Sequence, residues 1–301
     1  MKRQELPNEN LPSSATTNNG RAELLATVRR HSVVTYFLIA FAVSWVIWIP
    51  MALANVRVYQ GSSWPSHVPG MIGPIVAAFL MSAIVGGGAG IKDLLSRLGR
   101  WHVAGRWYVV ALSPLAFFAI AAVAMVATGG GWPALGELGK FSGLPVVAAP
   151  VMWLLLLVLA FAEETGWRGF AVPELLKTRS FLTTAVVVGL LWVLWHVPSF
   201  FLIDQYRQMG IAIVPMFLFG MVSGSIFLTW LYRASGGSIL MVAMWHGTYN
   251  LVSGTAAAHG LVAAVVSTAV MGWAVLIVIS ELRKWARDRL EPRRHMVGRW
   301  A

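Results

Sequence analysis

The stretch from Val146 to Val172 reads VVAAPVMWLLLLVLAFAEETGWRGFAV and decides how the rest of the chain is interpreted. It opens with a long uncharged, apolar run, and a helix needs about 20 such residues to cross the hydrocarbon layer of a bilayer. Two adjacent glutamates, Glu163 and Glu164, follow directly. Each carboxylate placed near the bilayer centre costs roughly 2.5 to 3.5 kcal/mol. The stretch therefore predicts a membrane-spanning helix that carries its acidic pair for a functional reason.

The whole chain has the composition of a membrane protein. Of its 301 residues, 57% are hydrophobic and 12% are charged, and the mean hydropathy is +0.69. These values exclude an ordinary soluble enzyme. Seven further apolar runs predict an all-α, multi-pass protein of the cell membrane with about eight transmembrane helices. The runs lie at 33–54, 68–85, 107–128, 181–203, 211–232, 238–258 and 261–280.

The distribution of basic residues predicts the orientation of the chain. The formal net charge is +11, with 23 Lys and Arg. The connections on one side of the membrane contain only Arg57, Lys140 and Arg207, whereas nearly all other basic residues belong to the tails and connections of the opposite side. Under the positive-inside rule both termini are cytoplasmic. Because the basic residues lie in tails and loops, we expect the lipid bilayer, and no nucleic acid, to be their partner.

Few ionisable residues lie within the apolar runs. Glu164 and Arg168 are four residues apart, which predicts a structural ion pair on one helical face. Glu163 projects about 100° away and needs another partner. His196 follows Trp192 by four residues in the fifth run, and His246 precedes Asn250 by four in the seventh.

One histidine in an apolar helix is usually a packing residue. A carboxylate, two imidazoles and a carboxamide together, however, are the groups needed to activate a water and stabilise an oxyanion. Two alternatives remain at this point: a proton-coupled transporter that relays protons through the same cluster, and an inactive scaffold.

Three ordered motifs carry a family resemblance. They are EExxxR at Glu163 to Arg168, an aromatic residue followed by xxxH at Trp192 to His196, and HxxxN at His246 to Asn250. In these three motifs the chain resembles the CAAX prenyl protease and bacteriocin-processing family of intramembrane proteases. The resemblance covers roughly residues 146–258. Trp192 stands where the family usually has Phe.

The resemblance implies an intramembrane endopeptidase acting on a peptide or membrane-associated protein. It implies that Glu163 polarises the attacking water, that His196 and His246 position water or substrate, and that Asn250 donates to the oxyanion. Glu164 and Arg168 then support the site.

These motifs do not decide whether a metal takes part in the reaction. Zinc could be held by His196, His246 and Glu163, which would make the protein a metalloprotease, but the HExxH spacing of many zinc proteases is absent from the sequence. We expect no tightly bound structural metal. The absence of cysteine excludes thiolate ligands and a cysteine nucleophile.

The sequence divides into four parts. They are a polar tail at 1–32 that we expect to be disordered, a three-span part at 33–145, the catalytic helical core at 146–258, and the last span with a basic tail at 259–301. The glycine-rich run 86–90 is expected to be a flexible connector. Distances along the predicted helices place the site in the cytoplasmic half. The sequence does not indicate an oligomeric state.

Overall fold

A computed structural model describes residues 14–210, 213–258 and 260–290. The chain forms a bundle of α-helices, which confirms the predicted fold class. The first seven helices are α1 (Ser14–Arg30), α2 (Ser32–Leu53), α3 (Gly73–Leu98), α4 (Gly105–Ala111), α5 (Ser113–Ala127), α6 (Ala149–Gly166) and α7 (Val172–Leu176). The remaining six are α8 (Phe181–Trp195), α9 (Ser199–Leu202), α10 (Asp204–Arg207), α11 (Val214–Ala234), α12 (Ile239–Ser253) and α13 (Leu261–Leu290).

Three short turns of tighter or wider helix complete the elements. 3₁₀ turns at Val68–Ile72 and Leu135–Gly139 precede α3 and α6, and a π-helical turn at Trp167–Ala171 joins α6 to α7. Turns of π-helix occur frequently at functional sites. Here the π turn begins three residues after Glu164, at the residue that precedes Arg168.

Six helical stretches in the described residues are long and apolar enough to cross a membrane, and a seventh is obtained if α4 and α5, bent by 46°, form one span. This confirms a multi-pass membrane protein. The remaining predicted span, 238–258, corresponds to α12, which has 15 residues and is about 22 Å long at 1.5 Å per residue. It is too short for the roughly 30 Å hydrocarbon layer. Because most of its side chains are buried against α6 and other helices, its apolar composition reflects packing within the protein.

Two predictions for the N-terminal part were wrong. Part of the expected disordered tail, from Ser14 to Arg30, is the helix α1, because its second half (RAELLATVRR) consists largely of good helix formers. Residues 1–13 lie outside the described residues. The glycine-rich run is no connector but the middle of α3, where Gly87 adopts φ 59° and ψ −147° and kinks the helix. Glycine adopts this backbone conformation without the steric cost that a side chain would add.

At one end of the bundle the connections hydrogen-bond to one another, and we call it the loop end. It comprises residues 54–67, 128–148, 203–213 and 254–260, excepting 211, 212 and 259, which are not described. Backbone N–H groups of one connection donate to carbonyls at another: Val58 to Leu202, Asp204 to Val58, Gly61 to Phe141, Gly143 to Tyr59 and Ala256 to Lys140. The opposite end, where α2 begins and α13 ends, is called the terminal end.

The N-terminal helices share a hydrophobic core with the later ones. Tyr36 and Trp48 of α2 are buried together with Trp167 and Trp195. The division into four parts therefore stays a prediction, since the first three spans pack directly against the segment with the motifs. Helices α6 and α12 also approach closely, because Gly247 lies against the Leu157 backbone, which a Cβ would meet at 3.0 Å.

Candidate active site

The two adjacent glutamates end α6 and are both buried, but they face different partners. The Glu163 Oε2 atom accepts hydrogen bonds from the indole N–H groups of Trp192, at 2.8 Å, and of Trp167, at 3.4 Å. Within the described residues its other oxygen has no hydrogen-bond partner, and the side chain lines a cavity. Trp192 is thus the partner that the sequence requires for Glu163 but does not identify.

Glu164 is fully buried and joins two helices. Its Oε1 atom lies 2.9 Å from Arg168 Nη1, as the four-residue spacing predicts, and 2.8 Å from Nδ1 of His246. The Arg168 guanidinium also lies over the Trp192 ring, at 5.1 Å from its centroid. Glu164 therefore connects α6 to α12 and fixes the orientation of the His246 imidazole.

His196 is the residue that immediately follows α8. Its Nδ1 atom lies 2.8 Å from the Trp192 carbonyl oxygen, to which an Nδ1–H group donates. In both histidines the Nδ1 atom is thus engaged by the protein, which leaves Nε2 for other contacts. Both side chains line the cavity that Glu163 enters.

Helix α2 holds the end of α8 that carries His196. Trp45 donates to the Trp195 carbonyl at 3.0 Å, and the Trp195 indole donates to Ser44 Oγ at 2.8 Å. Trp195 in turn packs edge to face against His196, with ring centroids 4.8 Å apart. The first spans, which carry no motif, therefore contribute to the placement of a motif residue.

The cavity has a volume of about 360 Å³ and opens among α8, α11, α12 and α13. Asn250 lines it one turn after His246, and in the described part of the chain its carboxamide makes no side-chain hydrogen bond. Glu163, His196, His246 and Asn250 therefore line one cavity. Glu164, Arg168 and Trp192 surround them.

A third histidine in the cavity was missed by the sequence analysis. His67 precedes the 3₁₀ turn before α3, lies outside the apolar runs and is 4% exposed. Its carbonyl accepts from Trp48, but its Nδ1 atom has no partner among the described residues. Burial, with a smaller contribution from nearby His196, lowers the pKa of His67 to about 4. His67 is therefore neutral near pH 7. No spacing pattern could have assigned it to the site.

The depth predicted for the site was wrong. His196 lies at the loop end of α8, and Asn250 lies one turn from the loop end of α12. Glu163 is near the midpoint of the helical stretch 149–176. The site therefore extends from the middle of the bundle towards the loop end. The error arose because the π turn and α7 carry this stretch beyond Val172, and because α8 ends at Trp195 rather than continuing to Ile203.

A metal ligand set is not assembled in the described residues. They contain no group of three or more His, Asp or Glu side chains placed to hold a metal ion, so Glu163, His196 and His246 do not form the set that the zinc alternative needs. Each imidazole does have its Nδ1 atom fixed by a carboxylate or a carbonyl, an arrangement that zinc-binding histidines also use. We assign no step of the reaction to a metal.

Comparisons with known proteins match the region that holds the site. Residues 145–252 match the family model of Type II CAAX prenyl endopeptidase Rce1-like proteins. The CAAX prenyl protease 2 of Methanococcus maripaludis is 26% identical over 226 residues, which cover 72% of this chain and 82% of that protein.

These matches and the helical bundle define the class, which is a multi-pass membrane protein and a protease of the Rce1-like type. Both matches support the resemblance to the CAAX prenyl protease and bacteriocin-processing family that the three motifs indicate.

Proposed function

We propose that this protein is an intramembrane endopeptidase that hydrolyses a peptide bond of a membrane-associated peptide or protein with a water activated by Glu163. One observation carries the proposal. Glu163 is 2% exposed, yet it lines a cavity, and the carboxylate oxygen that does not bind Trp192 has no protein partner in the described residues. A buried carboxylate with one oxygen held and the other available is suited to bind and deprotonate a water.

The first chemical step forms the new bond between carbon and oxygen. Glu163 takes a proton from the water as its oxygen attacks the carbonyl carbon, and the carbonyl oxygen becomes an oxyanion. Asn250 has a carboxamide N–H group available in the cavity and donates to that oxyanion. His196, whose Nδ1 atom is engaged by the Trp192 carbonyl, accepts a hydrogen bond from the water through Nε2.

The second step breaks the bond between carbon and nitrogen. Glu163 returns its proton to the leaving nitrogen, so that an amine and a carboxylic acid are released and the carboxylate is regenerated. His246 donates through Nδ1 to Glu164, so its Nε2 atom is an acceptor that helps to position the attacking water. In this scheme Glu164 and Arg168 maintain the geometry and make no contact with the reacting atoms.

The test compares two substitutions of the same chemistry. Glu163→Gln removes the base, whereas Glu174→Gln changes a carboxylate on α7 that pairs with Lys177 and lies outside the cavity. Membrane fractions from cells with wild type and each variant are compared by proteomics of protein termini. We expect the same new termini with wild type and Glu174→Gln and none with Glu163→Gln.

A second measurement separates hydrolysis from transport. A quenched-fluorescent peptide library is incubated with purified protein in detergent, where no gradient exists. Cleavage by wild type that is lost in Glu163→Gln supports the proposal. Unchanged cleavage in Glu163→Gln contradicts it.

A further inference from the structure

The cavity opens towards the loop end of the bundle. Along α11 its lining passes from Leu228, which is fully buried, to Met216 and Ile213, which are 59% and 55% exposed. Met216 and Leu228 are separated by about 18 Å at 1.5 Å per residue. The lining includes Ser142 and Gln205 from two loop-end connections, and it includes no residue of the connections at the terminal end.

The charges at the two ends differ strongly. Arg57, Lys140 and Arg207 are the three basic residues in the loop-end connections, whereas most of the other 20 Lys and Arg lie at the terminal end or in the two tails. The positive-inside rule then assigns the terminal end to the cytoplasm and the loop end to the opposite face. The mouth of the cavity consequently faces away from the cytoplasm.

The lining also indicates how a substrate is bound. No Lys or Arg among the described residues lines the cavity, which is rich instead in methionine and aromatic side chains. The three loop-end cations have partners of their own: Lys140 with Glu137, Arg57 with Asp204, and Arg207 with the Phe201 carbonyl. A free C-terminal carboxylate would therefore find no available cation, whereas an uncharged peptide segment with apolar side chains would fit.

We infer that the substrate is an exported or membrane-spanning protein, bound through an internal apolar segment and cleaved from the extracytoplasmic face. This inference rests on the proposed endopeptidase function. The inference excludes a protease that trims the free C-terminus of a cytoplasmic protein.

Cysteine labelling tests which side of the membrane the mouth of the cavity faces. The chain suits this test because it contains no cysteine, so only the introduced residue can react. Met216→Cys reports the mouth, Gln208→Cys reports the loop end, and Lys177→Cys reports the terminal end, where that side chain is 60% exposed. Intact cells are treated with a membrane-impermeant maleimide. We expect labelling at Met216→Cys and Gln208→Cys, and at Lys177→Cys only after permeabilisation.

Labelling of Lys177→Cys but not Gln208→Cys in intact cells would reverse the orientation and overturn the inference. Labelling of Gln208→Cys without Met216→Cys would overturn the position of the mouth. These results do not depend on proteolysis, so they are decisive even if the protein hydrolyses nothing.

The mode of substrate binding is tested with paired peptides from the quenched-fluorescent library, with either an amidated or a free C-terminus. We expect similar rates for both forms. An enzyme that held the carboxylate by a charge-assisted hydrogen bond would lose about tenfold or more on amidation, and that result would contradict the inference. If neither form is cleaved in detergent, the proposed function fails, while the labelling still determines which face the cavity serves.

Discussion

Replacement of Glu164 by glutamine should lower the unfolding free energy of the protein. It leaves Glu163, the proposed base, unchanged. The side chains of Glu164 and Arg168 are both 0% exposed, and their closest atoms are 2.9 Å apart. Removing one charge of a buried pair typically costs about 3 to 5 kcal/mol, because the other charge stays buried without compensation. Arg168 is poorly placed to recover, since its Nε and Nη2 atoms have no partner among the described residues.

The weakened hydrogen bond to His246 adds about 1 kcal/mol, so the total loss in unfolding free energy is about 4 to 6 kcal/mol. At about 2 °C per kcal/mol for a chain of this size, the Tm should fall on the order of 10 °C. The measurement is thermal unfolding of the purified protein in detergent, followed by tryptophan fluorescence.

Glu163→Gln is the matched control. It is the same substitution one residue earlier, but Glu163 has no ion pair within the described ranges, and a glutamine carbonyl can still accept from Trp192. We expect a stability change below about 1 kcal/mol, together with loss of turnover. The reasoning is refuted if Glu164→Gln is as stable as wild type, or if Glu163→Gln retains activity.

The double variant Glu164→Gln with Arg168→Met adds a check on the cause. It should be more stable than Glu164→Gln alone, because the uncompensated cation has been removed. A double variant with the summed losses of both single variants would show that the two side chains are not energetically coupled.

Three further predictions concern the oxyanion, pH and metals. Asn250→Ala should lower kcat about a hundredfold or more at unchanged abundance, the scale for removal of one oxyanion donor, and full activity in a steady-state assay would exclude that role. Because the pKa of His67 is about 4 in the folded protein and near 6.5 in the unfolded chain, only the unfolded chain takes up this proton as the pH falls between those values. The unfolding free energy should therefore drop by about 2 kcal/mol from pH 7.5 to 5 in wild type and less in His67→Gln, whereas equal drops would contradict the assignment. Chelation should leave turnover unchanged, and neither His196→Ala nor His246→Ala should alter the metal content measured by elemental analysis; stoichiometric zinc, with activity lost on chelation and restored on zinc addition, would show the opposite.

The sequence predicted the helical class and the spacing within each helix, because hydropathy and periodicity are local properties. The Glu164–Arg168 pair is an example, since a separation of four residues determines the contact. The helix ends were less predictable. The chain continues as a π turn after Gly166 and α8 ends at Trp195, whereas the apolar runs in the sequence extend past both points. These two ends account for the error in the depth of the site.

No pattern in the sequence predicted which side chains on different helices are in contact. The indole of Trp192 reaches a carboxylate 29 residues away, and His67 enters the cavity from a connection outside the apolar runs. Such positions follow from the packing of the whole bundle.

The buried contacts of Glu164 with Arg168 and with His246 have a consequence for the biogenesis of the protein. The ion pair spans four residues, so it can form within a nascent helix and reduce the cost of transferring two charges from the insertion machinery into lipid. His246 is 82 residues further along the chain, and Trp192 is 29 residues beyond Glu163. The acidic pair therefore enters the membrane before α12 has been synthesised. We expect α6 to remain beside the insertion machinery until α12 arrives, so that ribosome stalling just before α12 should leave α6 crosslinkable there.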